Sequence, residues 1–153
     1  MSDTATAGVD AEQRSWEDVE EGQELAPVEF PLTVYRMVVE AGANLDFNSI
    51  HHNSEFAQAS GAPEMYANTT FLLGMWERSL REFIGLRGRI RSIKGFKMKS
   101  FNVVGQTVTV KGKVLRTWLE GDEGLVDIEM WSENGETQTV GPGTATVSLP
   151  RRG

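Results

Sequence analysis

The 153-residue chain has no cysteine. That absence removes disulfides, thiolate nucleophiles and cysteine-based metal sites together, so any catalysis must rest on other groups. Histidine is scarce as well, with two residues adjacent at His51 and His52. No apolar run approaches the roughly 18 residues of a membrane span, which predicts a soluble protein with no membrane partner. Met1 to Arg14 has neither a basic start nor the apolar stretch of a secretory signal, and reads as a disordered leader of a cytoplasmic protein. Positive charge is also short. A net charge of −7 and a pI near 4.9 argue against nucleic acid as a partner, because neutralising phosphates needs a basic surface.

What is present fits one globular domain over residues 15–150. With 39% hydrophobic and 24% charged residues the composition is ordinary, and a chain of this size buries roughly 68–70% of its unfolded surface. One segment departs from the acidic background. Arg87, Arg89, Arg91, Lys94, Lys97 and Lys99 occur with no acid among them, so residues 87–99 carry +6 and the remainder −13.

The order of elements follows from local pattern. Trp16 to Leu32, with two prolines, suits an extended lead-in or edge strand. Thr33 can cap a short helix through Ala43, with Val34, Met37 and Val38 at helical spacing on one side. A polar, irregular stretch from Asn44 to Asn53 leads into a short helical segment from Ser54 to Ser60, broken by Gly61 and Pro63. Asn68 then caps a longer helix that ends near Ile84, with Gly85 where a left-handed residue is favoured. Leu72, Leu73, Met75, Trp76, Leu80, Phe83 and Ile84 cover about half its circumference.

Beyond that helix the period changes to two. Arg87 to Phe101 reads as a first strand. Val108, Val110, Gly112, Val114 and Trp118 alternate with polar residues in a second, and Leu125 to Ser132 alternates in a third. Asn134-Gly135 predicts a type I′ hairpin into the last strand, Thr137 to Leu149. Gly141-Pro142-Gly143 should bulge or bend it. Helices followed by an antiparallel meander make an α+β fold, and a curved, mainly antiparallel sheet wrapped around one long central helix is the hot-dog architecture.

The candidate chemistry lies in the irregular stretch, where His51 follows Asp46 by five residues in D-F-N-S-I-H. A loop could turn both toward one water, and histidine titrates close enough to neutral pH to accept and return a proton. Spacing alone equally fits an aspartate that ends a turn beside a satisfied loop histidine. No third ligand stands at useful spacing, so no metal is expected. Tyr66, Trp76, Trp118 and Trp131 are assigned to the core or a subunit interface.

Asp46-Phe47-Asn48-Ser49-Ile50-His51 resembles the D-x-N-P-I-H motif of MaoC-like and (R)-specific enoyl-CoA hydratases, and it follows Ala41-Gly42 as that motif follows S-G. The similarity extends over W-E-D-V-E-E-G-Q-E-L, Ala57, Gly61 and the helix–meander order, from Ser15 to Leu149. It implies that Asp46 and His51 activate water for attack at the β-carbon of an enoyl thioester, one of them returning a proton to the α-carbon, while Asn48 orients the pair or the water. The reverse dehydration of a 3-hydroxyacyl thioester uses the same groups. A backbone N–H at the start of the long helix would hold the developing oxyanion. Here Asn68-Thr69 stands where the family often has His-Gly, giving that role to the Thr69 N–H and placing Asn68 against substrate. Ser49 replaces proline, and Asn53 replaces an acid.

The double histidine and the asparagine at the helix start resemble one branch, the small hydratase subunits of bacterial steroid side-chain breakdown, whose members pair with a second MaoC-like chain. The resemblance implies a homodimer or such a heteromer and no cofactor, with coenzyme A or an acyl carrier entering as part of the substrate. Arg89, Arg91, Lys94 and Lys97 are candidate contacts for the phosphates of coenzyme A, against the alternative of a solvated strand face. A hot-dog thioesterase and a non-catalytic subunit are the competing readings.

Overall fold

A computed structural model describes residues 12–135 and 137–152. Helix α1 spans Val34–Ala43, α2 Ser54–Ala59 and α3 Thr69–Ile84, with a 3-10 turn at Ser49–His51 between the first two. Strand β1 covers Val28–Pro31, β2 Arg89–Lys94, β3 Thr107–Glu120, β4 Glu123–Asn134 and β5 Thr137–Leu149. They form one antiparallel sheet in the order β1-β3-β4-β5-β2. This is the hot-dog arrangement, with α3 buried against the sheet.

Capping chemistry sets the helix starts where the sequence places them. Thr33 Oγ1 accepts from Arg36 N (3.2 Å), Asn53 Oδ1 from Phe56 N (2.9 Å) and Asn68 Oδ1 from Phe71 N (2.7 Å). Gly85 ends α3 at φ 69°. Along α3, Leu72, Met75, Trp76, Leu80, Phe83 and Ile84 are buried, each stabilising the fold by about 1.5–3 kcal/mol relative to exposure. Leu73 is only half-buried, at the edge of the arc. Helix α1 differs from its predicted pattern. Met37 is fully buried, but Val34 and Val38 are 58% and 50% exposed, so the apolar stripe faces away from the core.

The sheet departs from the sequence reading wherever register or long-range pairing decides. Only β3, β4 and β5 form a meander; β2 lies beside β5 because the segment after it, rather than a tight hairpin, leads to β3. The predicted strand over Arg87 to Phe101 ends at Lys94, where Gly95 adopts φ 70°. A register shift between Val114 and Arg116 breaks the alternation of β3, leaving Trp118 half-exposed under the Arg116 guanidinium, which sits 4.2 Å from its ring centroid. Asn134 still pairs with Thr137, so the turn begins at Gly135, one residue beyond the predicted start. Pro31 sits on an edge strand, as a missing donor requires. Opposite Gly141-Pro142-Gly143 the β4–β5 register shifts between Met130 and Ser132, the predicted bulge.

Residues 1–11 of the predicted leader lie outside the described residues. Gln13 and Arg14, also assigned to it, are bonded to the end of α3: Gln13 Nε2 donates to the Ile84 carbonyl (2.9 Å) and Arg14 Nε to that of Phe83 (3.1 Å). Among the described residues no helix is long and apolar enough to cross a membrane.

At the centre of the core, Trp76 Nε1 donates to Ser132 Oγ (2.8 Å), and its ring meets Phe96 edge-on at 4.9 Å. Gly141 packs beneath it at φ 82°, where an added Cβ would lie 2.8 Å from the Met130 carbonyl oxygen and 3.1 Å from the indole. Gly141→Ala is therefore expected to lose about 1–3 kcal/mol in urea unfolding, from overpacking together with the left-handed backbone. An unchanged midpoint would show that the bulge relaxes freely.

Candidate active site

Between α1 and α3 the chain makes a short polar excursion that every nearby residue helps to shape. Asn44 N and Asp46 N bond back to the carbonyls of Glu40 and Ala41 (both 2.9 Å), while Leu45 turns through φ 57°. A non-glycine residue in that region costs on the order of 1–3 kcal/mol, a strain typical of segments that aim a functional side chain. Asn48 then caps the 3-10 turn, its Oδ1 accepting from Ile50 N at 3.2 Å, and this turn carries His51 into the interior. Asn48 thus orients the loop. Its own side chain is committed to backbone, and its N–H approaches Asp46 Oδ1 only to 3.5 Å.

Asp46 and His51 come together as the sequence suggested. His51 Nε2 lies 3.2 Å from Asp46 Oδ2, and His51 is only 5% exposed. The other ring nitrogen, Nδ1, is 2.7 Å from the Tyr66 carbonyl oxygen. A carbonyl can only accept, so Nδ1 carries a proton; the neutral ring would then turn a lone pair on Nε2 toward a carboxylate. A second proton between Nε2 and Oδ2 resolves that contact. A proton placed there would be exchangeable, and Asp46 Oδ1 keeps acceptor capacity.

Asn68 supplies the second support of Asp46. Its Oδ1 is fixed by the cap, which orients Nδ2 toward Asp46 Oδ2 at 2.9 Å. The sequence identified Asn68 as a cap and a substrate contact, not as the aspartate's partner. Thr69, exposed, is the first residue of α3, and its N–H belongs to the turn that helix geometry leaves without an intrahelical acceptor.

Two more residues escaped the sequence reading. Tyr66, assigned to the core or an interface, instead holds His51, through its carbonyl and through edge-on ring contact at 5.2 Å. Glu40 is buried, 7% exposed, on the inner side of α1 with Met37 and Ala41. An acid at i+3 from Met37 on that face was the readable signal. Burial, the largest influence, raises its carboxyl above the ordinary range, opposed by the hydrogen bond from Asn44 and then by the nearby Asn68 amide and the charge of His51. His52 faces outward and contacts the Phe47 carbonyl at 3.3 Å.

The basic run is spread along α3 rather than gathered at the pair. Arg89 begins β2 at the C-terminal end of α3, and Arg91 pairs with Glu123 at 3.1 Å. Lys94 ends the strand. The chain then runs back along the helix until Met98 Sδ reaches Thr69 Oγ1 at 3.9 Å, so of the four candidates only Lys97 is adjacent to the site's end. All four are exposed. No group of three or more His, Asp or Glu side chains among the described residues is arranged to hold a metal ion.

No protein-family model matches this sequence. The chain is 29% identical over 116 residues to the 3-oxo-4,17-pregnadiene-20-carboxyl-CoA hydratase beta subunit of Mycobacterium tuberculosis, a match covering 76% of this chain and 84% of that one. It superposes on a chain of the ChsH1-ChsH2 complex from Mycobacterium tuberculosis with TM-score 0.74 and 26% identity, covering 87% of this chain and 98% of the other. A MaoC-like dehydratase from Rhodospirillum rubrum shares the fold at TM-score 0.76 and 19% identity, over 90% and 97% of the two chains. With its five-stranded antiparallel sheet wrapped on α3 the chain has the hot-dog fold, and in sequence and structure it is similar to MaoC-like hydratases.

Proposed function

We propose that the chain hydrates the α,β double bond of an enoyl thioester, or runs the reverse dehydration, through Asp46 and His51. The observation that carries this reading is the Asp46 Oδ2–His51 Nε2 contact of 3.2 Å with Nδ1 held on the Tyr66 carbonyl. Asp46 Oδ1 removes a proton from water as its oxygen bonds to the β-carbon. The π electrons move to the α-carbon, which takes the Nε2 proton of His51. Transfer of the new Asp46 proton to Nε2 restores the pair, so atoms and charge balance over one turnover.

The first-turn N–H of Thr69 would meet the thioester oxygen as negative charge develops there, at the positive end of α3. A hollow of about 460 Å³, with Val28, Phe30, Tyr35, Val39 and Phe71 on its walls and charged Glu29, Arg36, Glu40, Arg78 and Glu82 also bordering it, is within the size range of ligand sites and would take a bulky acyl group of the steroid side-chain type against its apolar walls. Coenzyme A phosphates would meet Lys97 at the helix start. The hydratase subunit similarity and the exposed Val34, Tyr35, Val38 and Val39 on α1 support work as a pair with a second hot-dog chain.

Steady-state assays on a panel of enoyl-CoAs test the reaction. Asp46→Asn and His51→Ala are each expected to lower kcat by about 10²–10⁴-fold, the usual worth of positioned acid–base groups. Undiminished hydration by both would remove the mechanism, and thiol release from saturated acyl-CoA would point to thioester hydrolysis instead. Asn68→Ser separates the two duties of that residue. It keeps a capping oxygen, so stability should change by only a few tenths of a kcal/mol, yet it lacks the donor to Asp46, so kcat should fall at least tenfold. Equal, large losses of both would mean that the cap alone matters. For assembly, native mass spectrometry should show a two-chain species that Val38→Asp dissociates; a monomer of the unaltered chain with full activity would contradict the pairing.

A further inference from the structure

The hollow beside α3 changes character along its length. Phe71 on its wall has its N–H bonded to the Asn68 oxygen at 2.7 Å, while the nitrogen of the same amide holds Asp46 at 2.9 Å, so this end adjoins the reactive pair. Arg78 and Glu82 lie on the same face of the helix, seven and eleven residues further on. At the helical rise of 1.5 Å per residue they stand about 10 Å and 16 Å from Phe71. Gly74 comes between them and is exposed, and a Cβ added there would meet nothing within 4 Å. A glycine inside a helix weakens it, and no contact within this chain calls for one here. It leaves α3 low where a ligand would lie along it.

Arg78 and Glu82 form an exposed ion pair, Nε to Oε1 at 2.8 Å, with the side chains 42% and 37% exposed. Such a pair contributes little to stability, so it can be opened or shared at small cost. On a face that met only water nothing more would need explaining. This pair instead borders a hollow walled by Phe30, Tyr35, Val39 and Phe71. Among the described residues only Nε of Arg78 has a protein acceptor, which leaves both Nη groups to water or a ligand. The other arginine of the hollow, Arg36, turns Nη1 to the Pro31 carbonyl at 3.1 Å.

We propose that Arg78 is a specificity-determining residue, donating a hydrogen bond to a neutral oxygen, a carbonyl or hydroxyl, at the end of the acyl group distant from the thioester. The purpose of this contact rests on the hydratase reading; the binding preference does not. Charge selects the neutral oxygen. Two arginines and three glutamates border the hollow, so a carboxylate would enter net negative charge. A hydrocarbon end would cover the ion pair and strip its water without replacing those hydrogen bonds. A neutral oxygen accepts from Nη while Nε stays paired with Glu82.

Three saturated polycyclic acyl-CoA thioesters, alike except for a methylene, a ring carbonyl or a carboxylate at the distal end, test this by calorimetry on the full chain. The carbonyl compound should bind about tenfold more tightly than the hydrocarbon, the scale of one charge-assisted hydrogen bond, and the carboxylate no more tightly than the hydrocarbon. Arg78→Leu should bind carbonyl and hydrocarbon alike. Arg78→Lys, which keeps a donor, should retain part of the preference. Since the pair is exposed, the urea midpoints of both variants should stay close to that of the unaltered protein, which separates lost recognition from lost folding.

Equal binding of carbonyl and hydrocarbon by the unaltered chain, a preference that survives Arg78→Leu, tightest binding of the carboxylate, or no binding of any of the three overturns the proposal. Turnover of the matching enoyl thioesters reads the reaction separately. A carbonyl preference without hydration upholds the contact and overturns the hydratase reading, whereas hydration without a preference does the reverse.

Discussion

Asn68 is the side chain on which the arrangement turns, because its two polar ends are committed in different directions. Its oxygen closes the first turn of α3, the helix that fills the concavity of the sheet. Its nitrogen holds Asp46. The position of the carboxylate is therefore tied to a helix anchored in the core of the domain rather than to its own loop alone. The helix N-terminus adds an attraction for negative charge in the same place, worth about 0.3–1 kcal/mol at exposed sites and up to ~2 kcal/mol when partly buried.

How much of this was legible in the sequence depended on whether the cause was local. The caps at Thr33 and Asn68, the start of α2 at Ser54, the stop at Gly85 and the buried face of β3 up to Val114 each depend on residues within a turn or a few positions, and they lie where the pattern puts them. Trp118 did not follow its alternation because a bulge four residues earlier changes the face. Strand β2 joined β5, not β3, because strand neighbours are chosen by the curvature of the sheet around α3 rather than by order along the chain.

The site shows the same division. A motif could nominate Asp46 and His51, since both are rare polar groups in a short stretch, but the group that fixes the histidine tautomer is the Tyr66 carbonyl, and a backbone carbonyl leaves no mark in a sequence. The apolar positions of α1 were legible, but that Met37 turns inward while Val34 and Val38 stay exposed was not. Periodicity locates a stripe without saying what covers it, and here the inner side is taken by Met37, Glu40 and Ala41.

The groups that make and hold the Asp46–His51 pair come from residues 46–68: Asp46, His51, Tyr66 and Asn68. None comes from the sheet. Yet the sheet decides whether they can work, because it buries α3 and so fixes where the Asn68 cap stands, while Ala67 N bonds to the Asn102 carbonyl at 2.9 Å and ties the entry of α3 to the segment before β3. A core change that tilts α3 would therefore act on Asp46 through Asn68 before it altered any atom of the pair. Chemistry and scaffold are separate in sequence but joined at one amide, and its oxygen belongs to the fold while its nitrogen belongs to the site.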